Sequence, residues 1–578
     1  MNLTGTRRAL FLKLLFLLVS LPMIFSISAA SADAKKSGSR SYIFGQNSAQ
    51  IGKERYSYHI DNEYRLFATA EINISSGARV DLFQSYALAS DGSFSFYSMT
   101  AEVMGEKQSL NCAFKDDEIK VKLFRKGTDE NILLRTGGPV YLLDNMNANN
   151  FEHILSAYSH KKGGSQSFKI FVPQKLMLGE LALEKKGFVK GRAAGKRMEF
   201  LEYRAVEKTS GLEIFIYAGN SGALAGVAVP LQKFSMSLEG FELDKTVKPL
   251  ETIEFTAGKF KVKESGAYFK AKDGLKLYSK IMLPSVPESA RVPGVVLIAG
   301  SGPTDHNGNS AILGATINTL RDIAERLAEE GIASMRYDKR NIGDSDSSGD
   351  SPFSSYVSDA VSAFNFFSAR EGIDSDSIFL LGHSEGGLIA MSASRGAPKA
   401  RGVILMAVPY TPFDKLILQQ VKYNLDYSVS ISDSDKADFI NQLSDVIKRL
   451  KSGKKPKVRE TANVPSMDVV VKSLVSQPKF VGEYLNIIPE KLASALKTPV
   501  LLIGAELDSQ VPVSDFSAYC DLFAAKGKRF SKLLVPGVNH VFKPAKAKND
   551  VSSYLSGARL SPAALDAVSD FIRRCCGR

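Results

Sequence analysis

Three side chains far apart along the chain have the types and order needed for acyl transfer. Leu381-Gly382-His383-Ser384-Glu385-Gly386-Gly387 is a G-x-S-x-G match between an apolar run and a helical segment rich in small residues, Ala390, Ser392, Ala393 and Ser394. In such a strand-to-helix turn the serine hydroxyl stands exposed in strained backbone space, and only small neighbours leave room for it. A serine hydroxyl is a weak nucleophile at neutral pH and needs a base within hydrogen-bond reach. Of the six histidines, His540 follows a strand pattern in Pro536-Gly537-Val538-Asn539-His540, which sets it on the rim expected for Ser384. His306 falls in the loop after the first parallel strand and can line the site without acting as base. His383 adjoins the serine with its side chain directed away, and His59, His153 and His160 read as surface or packing residues of the amino-terminal part. The base needs a carboxylate to fix its tautomer and stabilise the imidazolium. Asp508, in Gly504-Ala505-Glu506-Leu507-Asp508-Ser509-Gln510-Val511-Pro512, completes the order Ser, Asp, His, with Glu506, Asp515 and Asp414 as competitors. Charge developing on a substrate carbonyl oxygen requires preorganised donors. The backbone N–H groups of Glu385 and of Ser301, in Ala299-Gly300-Ser301-Gly302-Pro303, are the candidates for this oxyanion hole.

The elements that must carry these loops follow from hydrophobic periodicity. From Phe260 onward, apolar strands alternate with amphipathic helices, the pattern of a parallel sheet covered on both faces. Val262–Phe269 and Leu275–Leu283 pair around Asp273-Gly274 as an opening hairpin. Val295–Ala299, Ile332–Tyr337, Ile378–Leu381, Val403–Ala407, Val500–Gly504 and Lys532–Val535 read as further strands. Helical spacing runs through Leu313, Ile317, Leu320, Ala324 and Leu327, then Val357, Val361 and Phe364, with a last helix near Pro562–Arg573. The sheet does not require residues 411–496, a long helical insertion that reads as a lid.

Upstream, residues 56–255 repeat a two-residue alternation, as in Glu118–Leu123, where Ile119, Val121 and Leu123 share one face and Lys120 and Lys122 the other. This predicts an antiparallel β-rich domain of six or more strands, curved around a helix near Phe151–Tyr158. Residues 33–55, polar and rich in Gly and Ser, read as a linker. Residues 1–32 carry Arg7, Arg8 and Lys13 ahead of the apolar stretch Leu14–Ile27 and the small residues Ala30, Ser31 and Ala32, the pattern of a secretory signal peptide. The expected location is therefore exported, periplasmic or secreted, with an uncleaved membrane anchor as the alternative.

A chain of 578 residues exceeds what one hydrophobic core supports. Its net charge of +13 comes from Lys and Arg scattered among Asp and Glu, which argues against nucleic acid as a partner. The dense basic stretch Lys448–Lys457 reads as a solvated loop, leaving membrane-surface association through it open. Cys112, Cys520, Cys575 and Cys576 give neither a disulfide framework nor a metal spacing, although Cys520 could pair with one of the vicinal cysteines.

The ordered set Gly300-Ser301-Gly302-Pro303-Thr304-Asp305, Arg336-Tyr337-Asp338-Lys339-Arg340, Gly382-His383-Ser384-Glu385-Gly386-Gly387, Asp508-Ser509-Gln510-Val511-Pro512 and Gly537-Val538-Asn539-His540 resembles the α/β-hydrolase superfamily. It is most similar to bacterial esterases of the serine aminopeptidase-like group, over residues 260–578. The resemblance implies an α/β-hydrolase fold, hydrolysis of a small carboxylic ester through an acyl-enzyme on Ser384, and no metal or cofactor. Two positions depart from it, since many relatives carry His in place of Ala299 and Gly in place of Asn341. Acyltransferase, thioesterase or peptidase activity on the same triad is an alternative. So is an envelope or binding protein whose β-domain holds the ligand. Oligomeric state and acyl-chain length are not legible.

Overall fold

The computed structural model describes residues 36–577 except 47–48, 62–65, 75–79, 104–105, 126–127, 145–146, 209–210, 233, 245–251, 288–289, 310–316, 398–399, 427–431, 457, 459–464 and 549. The expected signal segment, residues 1–32, lies outside the described residues. Among those described, no helix is long and apolar enough to cross a membrane. The chain divides into two compact units, Met1–Val247 and Lys248–Arg578.

The first unit is built on a 16-stranded sheet, antiparallel except where Tyr141–Leu142 runs parallel to Ser165–Val172. The expected linker is instead part of this sheet. Lys36–Gln46 and Ala49–Ile60 pair from Lys36↔Ile60 to Gln46↔Ala49, and the former also pairs with Phe234–Leu238. Composition misled here because a strand needs only alternate residues in the core. Tyr42, Phe44 and Tyr56 supply them, while Ser and Arg occupy positions between. The helix Asn149–Ala157 buries Phe151, Ile154 and Leu155 in the same core. Its amino-terminal end is held by buried Glu54, which accepts from Ala148 N at 3.0 Å and from Asn149 Nδ2 at 3.2 Å. His153, on this helix, is pulled down to about 4 by burial and contacts the Tyr86 hydroxyl at 3.2 Å through Nε2. His160 and His59 pack against Tyr203 and Phe67.

The second unit carries a nine-stranded sheet, β1 (Thr252–Ala257), β2 (Phe260–Lys270), β3 (Lys276–Pro284), β4 (Val292–Ile298), β5 (Ala333–Tyr337), β6 (Ile373–His383), β7 (Gly402–Met406), β8 (Val500–Ala505) and β9 (Phe530–Val535), in the order β1-β2-β3-β5-β4-β6-β7-β8-β9. Pairing is antiparallel through β1-β2-β3-β5 and parallel from β5 to β9. The unit begins upstream of Phe260 because β1 pairs with β2 from Thr252↔Ser265 to Ala257↔Phe260. Every residue of β4, β5, β7 and β8 is buried, as expected for strands covered on both faces. Successive residues of β4 divide between two cores: Val296 and Ile298 pack on one side, Val295 and Leu297 on the other.

That division explains why the expected cysteine pairing does not form. Cys520 belongs to the first of these cores and Cys575 and Cys576 pack against the second, so the sheet separates them; all four cysteines are free thiols. The helix α1 (Thr319–Glu329) starts later than the periodicity from Leu313 predicts. Asn318, just before it, is left-handed at φ 60° and its N–H bonds Asn309 Oδ1 at 2.8 Å; Leu313 lies outside the described residues.

Between β7 and β8 stand the helices Phe413–Asp426, Asp433–Lys451, Pro465–Ser476, Pro478–Tyr484 and Pro489–Ser494. They have a core of their own around Leu425, Phe439, Leu443, Val446 and Val481. Tyr484 ties this insertion to the sheet domain, stacking on Phe353 of α2 (Phe353–Ser368) at 5.3 Å.

Candidate active site

Ser384 occupies the turn between β6 and α3 (Glu385–Ala393), at φ 54° and ψ −126°. Such a conformation costs roughly 1–3 kcal/mol for a residue with a side chain and persists only where its surroundings impose it. Here the imposition is steric and hydrogen-bonded. Ser384 N donates to Met406 O at 2.8 Å, and a Cβ on Gly382 would lie 2.2 Å from Gly386 O. A Cβ on Gly386 would lie 2.4 Å from Ile298 O. Glycine at both positions is what lets the helix begin directly against the ends of β6 and β4.

The loop after β8 carries Asp508 and the loop after β9 carries His540, and the two are laced together. Leu507 N donates to Val538 O at 2.9 Å, and Gly537 N to Glu506 Oε2 at 2.8 Å. Asn539 shapes the histidine turn, its Oδ1 accepting from Val541 N and Lys543 N at 3.0 and 3.1 Å. His540 Nδ1 lies 2.7 Å from Asp508 Oδ2, while Asp508 Oδ1 accepts from Gln510 N and Val511 N at 2.7 and 2.9 Å. Both partners are almost fully buried, 4% and 2% exposed, so this bond is poorly screened. With Nδ1–H donating to the carboxylate, Nε2 is left with its lone pair free to take a proton.

The competing carboxylates are engaged elsewhere. Asp515 accepts from Tyr410 N, Thr411 N and Thr411 Oγ1 at 2.7–2.9 Å, Glu506 holds Gly537 N, and Asp414 pairs with Lys451.

His383 connects the serine turn to the histidine loop. Its Nε2–H donates to His540 O at 2.9 Å, and the two rings lie 4.8 Å apart. Burial, reinforced by His540, pulls His383 down to about 3, so it stays neutral. A Cβ on Gly300 would lie 3.1 Å from Ser384 Cβ and 3.2 Å from His383 Nδ1, which puts the Gly300-Ser301 loop against the serine. Glu385 opens α3, so its N–H has no intrahelical acceptor. Among the described residues the Ser384 hydroxyl makes no hydrogen bond to His540. Such a contact is often loose before substrate binds and tightens in the reacting complex.

Four side chains that the sequence marked only as a motif stand behind this site. Asp338 Oδ1 accepts from His306 N and lies 2.7 Å from His306 Nδ1, fixing the loop after β4. Burial lowers the His306 pKa, but Asp338 and Asp305 more than offset it, and the net shift is upward. Arg340 makes a bidentate pair with Asp359 of α2 at 2.7 and 2.8 Å. Lys339 reaches Gly300 O and, at 3.2 Å, Glu385 Oε1. Arg336 pairs with Glu264, a residue with no sequence signal. Their roles are invisible in a single sequence because each partner lies on a distant element. Asn341 is left-handed at φ 70°, a conformation Asn tolerates, and its Oδ1 accepts from Ser348 N and Gly349 N. The departure from Gly there leaves the turn intact.

A family model described as "Serine aminopeptidase, S33" matches residues 313–540, a span that includes Ser384, Asp508 and His540. The carboxyl-terminal unit has the α/β-hydrolase fold. Esterase EstD of Thermotoga maritima is 25% identical to the chain over 295 residues, 51% of this chain and 64% of that relative. The chain thus spans somewhat less than two thirds of that esterase. Among solved structures, the ferulic acid complex of Est1E from Butyrivibrio proteoclasticus is 17% identical, with 54% of this chain and 100% of that chain covered at a TM-score of 0.35. The α/β hydrolase GrgF from Penicillium sp. sh18 is 18% identical, covering 55% of this chain and 99% of that chain at a TM-score of 0.36. In the carboxyl-terminal unit the helical insertion meets the Asp508 loop directly: Gln420 Nε2 donates to Gln510 O at 2.7 Å, two residues from Asp508.

Proposed function

We propose that the chain is an exported serine hydrolase that cleaves small carboxylic esters, with Ser384 as nucleophile, His540 as general base and Asp508 as the orienting carboxylate. The observation that carries this reading is the buried 2.7 Å contact between His540 Nδ1 and Asp508 Oδ2, beside a serine at φ 54°. His540 Nε2 removes the Ser384 proton as the oxygen attacks the ester carbonyl, and the N–H groups of Ser301 and Glu385 meet the charge on the carbonyl oxygen. The imidazolium then protonates the leaving alkoxide. Water, activated in turn by His540, resolves the acyl-enzyme. Esterase similarity in the hydrolase unit supports an ester as substrate. The signal pattern of residues 1–32 supports export. The insertion between β7 and β8, joined to the acid loop through Gln420, is the element proposed to set acyl-chain range.

The test compares turnover of p-nitrophenyl esters of increasing chain length with that of an aminoacyl p-nitroanilide, in the wild type and in Ser384→Ala. Ester turnover that vanishes in the variant supports the reading. Preferential anilide turnover would assign a peptidase, and ester turnover unchanged in Ser384→Ala would remove the serine from the mechanism.

A further inference from the structure

Lys339 is an almost fully buried lysine two residues past the end of β5, 6% exposed, yet it belongs to neither the triad nor the oxyanion donors. Its ammonium group contacts three things. It donates to the carbonyl oxygen of Gly300, it donates to Glu385 Oε1 at 3.2 Å, and it lies 5.8 Å from the centre of the Tyr356 ring. The first two belong to the Gly300–Ser301 peptide and to Glu385, which present the proposed oxyanion donors. The Gly300 carbonyl and the Ser301 N–H are opposite ends of one planar trans peptide, so anchoring the oxygen fixes the direction of the N–H. A cation on the carbonyl also polarises that peptide and makes its N–H a stronger donor. Thr304 Oγ1 lies 3.2 Å from the same carbonyl, but its single proton is shared with Ser301 O at 3.2 Å and Gly302 O at 3.0 Å, which leaves Lys339 as the charged anchor. On the other side, the Glu385 carboxylate ties the first residue of α3, and with it the second N–H, to the same nitrogen.

We infer that Lys339 is a positioning residue that locks both halves of the oxyanion hole to one buried ammonium group. The inference rests on the serine-hydrolase reading and assigns to it a residue outside the triad. Lys339 touches no reacting atom. It sets where two donors point and adds positive potential behind them, an effect that grows as the carbonyl oxygen becomes an oxyanion. Loss of Lys339 therefore lowers kcat more than it raises KM.

The experiment uses the full chain and p-nitrophenyl acetate, with active sites counted by a fluorophosphonate. It compares the wild type, Lys339→Met and the double variant Lys339→Met/Glu385→Gln. The double variant removes the carboxylate that the single change would leave buried without its partner, so it keeps the test valid if the single variant unfolds. Removing one oxyanion donor outright costs about 100- to 1,000-fold in kcat, and loosening two is expected to cost roughly 10- to 100-fold, with KM changed by less than about 3-fold. Affinity for a trifluoromethyl ketone, whose hemiketal adduct carries the same oxyanion, should fall by the same factor as kcat/KM. A folded double variant with wild-type kcat, or one whose trifluoromethyl ketone affinity is unchanged, would overturn the inference. Failure of the wild type itself to react with the fluorophosphonate would instead overturn the hydrolase reading.

Discussion

His383 gives the hydrolase unit an acid sensitivity whose size can be worked out. Burial holds its imidazole neutral to about pH 3, against an ordinary value of 6.5, because a proton there would sit unsolvated beside His540. Above pH 6.5 the histidine is neutral in both the folded and unfolded chain and costs nothing. Below pH 6.5 the unfolded chain takes up a proton that the folded chain refuses, so stability falls as pH drops from 6.5 toward 3. At about 1.4 kcal/mol per pH unit, the loss reaches about 2 kcal/mol at pH 5. His383→Gln retains an amide N–H and cannot protonate in this range. Urea unfolding is followed through loss of fluorophosphonate reactivity, which reports on the hydrolase unit, at pH 7.5 and pH 5.0. The variant will be less stable than wild type at pH 7.5, through a weaker bond to His540 O, but its further loss on going to pH 5.0 should be smaller by about 2 kcal/mol. An equal pH dependence in both proteins would refute the argument, since every other titrating group is common to them.

Asp508→Asn keeps the shape of the acid but removes the charge that selects the His540 tautomer, and kcat should fall by roughly 1,000- to 10,000-fold with little change in thermal midpoint. Glu264→Ala leaves Arg336, 2% exposed, without its ion-pair partner and should destabilise the unit by roughly 3–5 kcal/mol in urea titration. The double change Glu264→Leu/Arg336→Met should recover most of that. Asp515→Ala frees the Tyr410 and Thr411 N–H groups at the start of the insertion; it should shift the preferred ester chain length while leaving fluorophosphonate reactivity of Ser384 within a few-fold.

The parallel half of the fold was readable because each strand carries an apolar run and amphipathic helices separate them; β4, β5, β7, β8 and β9 lie close to their predicted spans, while β6 begins at Ile373, upstream of the predicted Ile378, because Asp374, Ser375, Asp376 and Ser377 mask its first residues. The Ser384 turn was readable because a strained turn of this kind demands glycine at fixed offsets, and Gly382 and Gly386 stand there. The first strands of the other unit were missed because Lys36–Gln46 places core residues at Tyr42 and Phe44 amid Ser, Gly and Arg, and its pairing partner Phe234–Leu238 is remote in sequence. The same distance hid the shell behind the site. Nothing in Arg336-Tyr337-Asp338-Lys339-Arg340 alone says that three neighbouring side chains hold, in turn, His306, the Gly300 carbonyl and Asp359. Those assignments depend on which loops converge over β5, a property of strand order and not of local composition.

In the proposed reaction one hydroxyl, that of Ser384, attacks the acyl group. Reaction of the intact chain with a fluorophosphonate, followed by mass measurement and peptide mapping, tests it directly. A single adduct is expected on the peptide carrying Gly382-His383-Ser384-Glu385-Gly386, lost in Ser384→Ala and slowed at least ~100-fold in His540→Ala, in keeping with loss of a general base. An adduct on any other residue, or labelling that survives in Ser384→Ala, would contradict it.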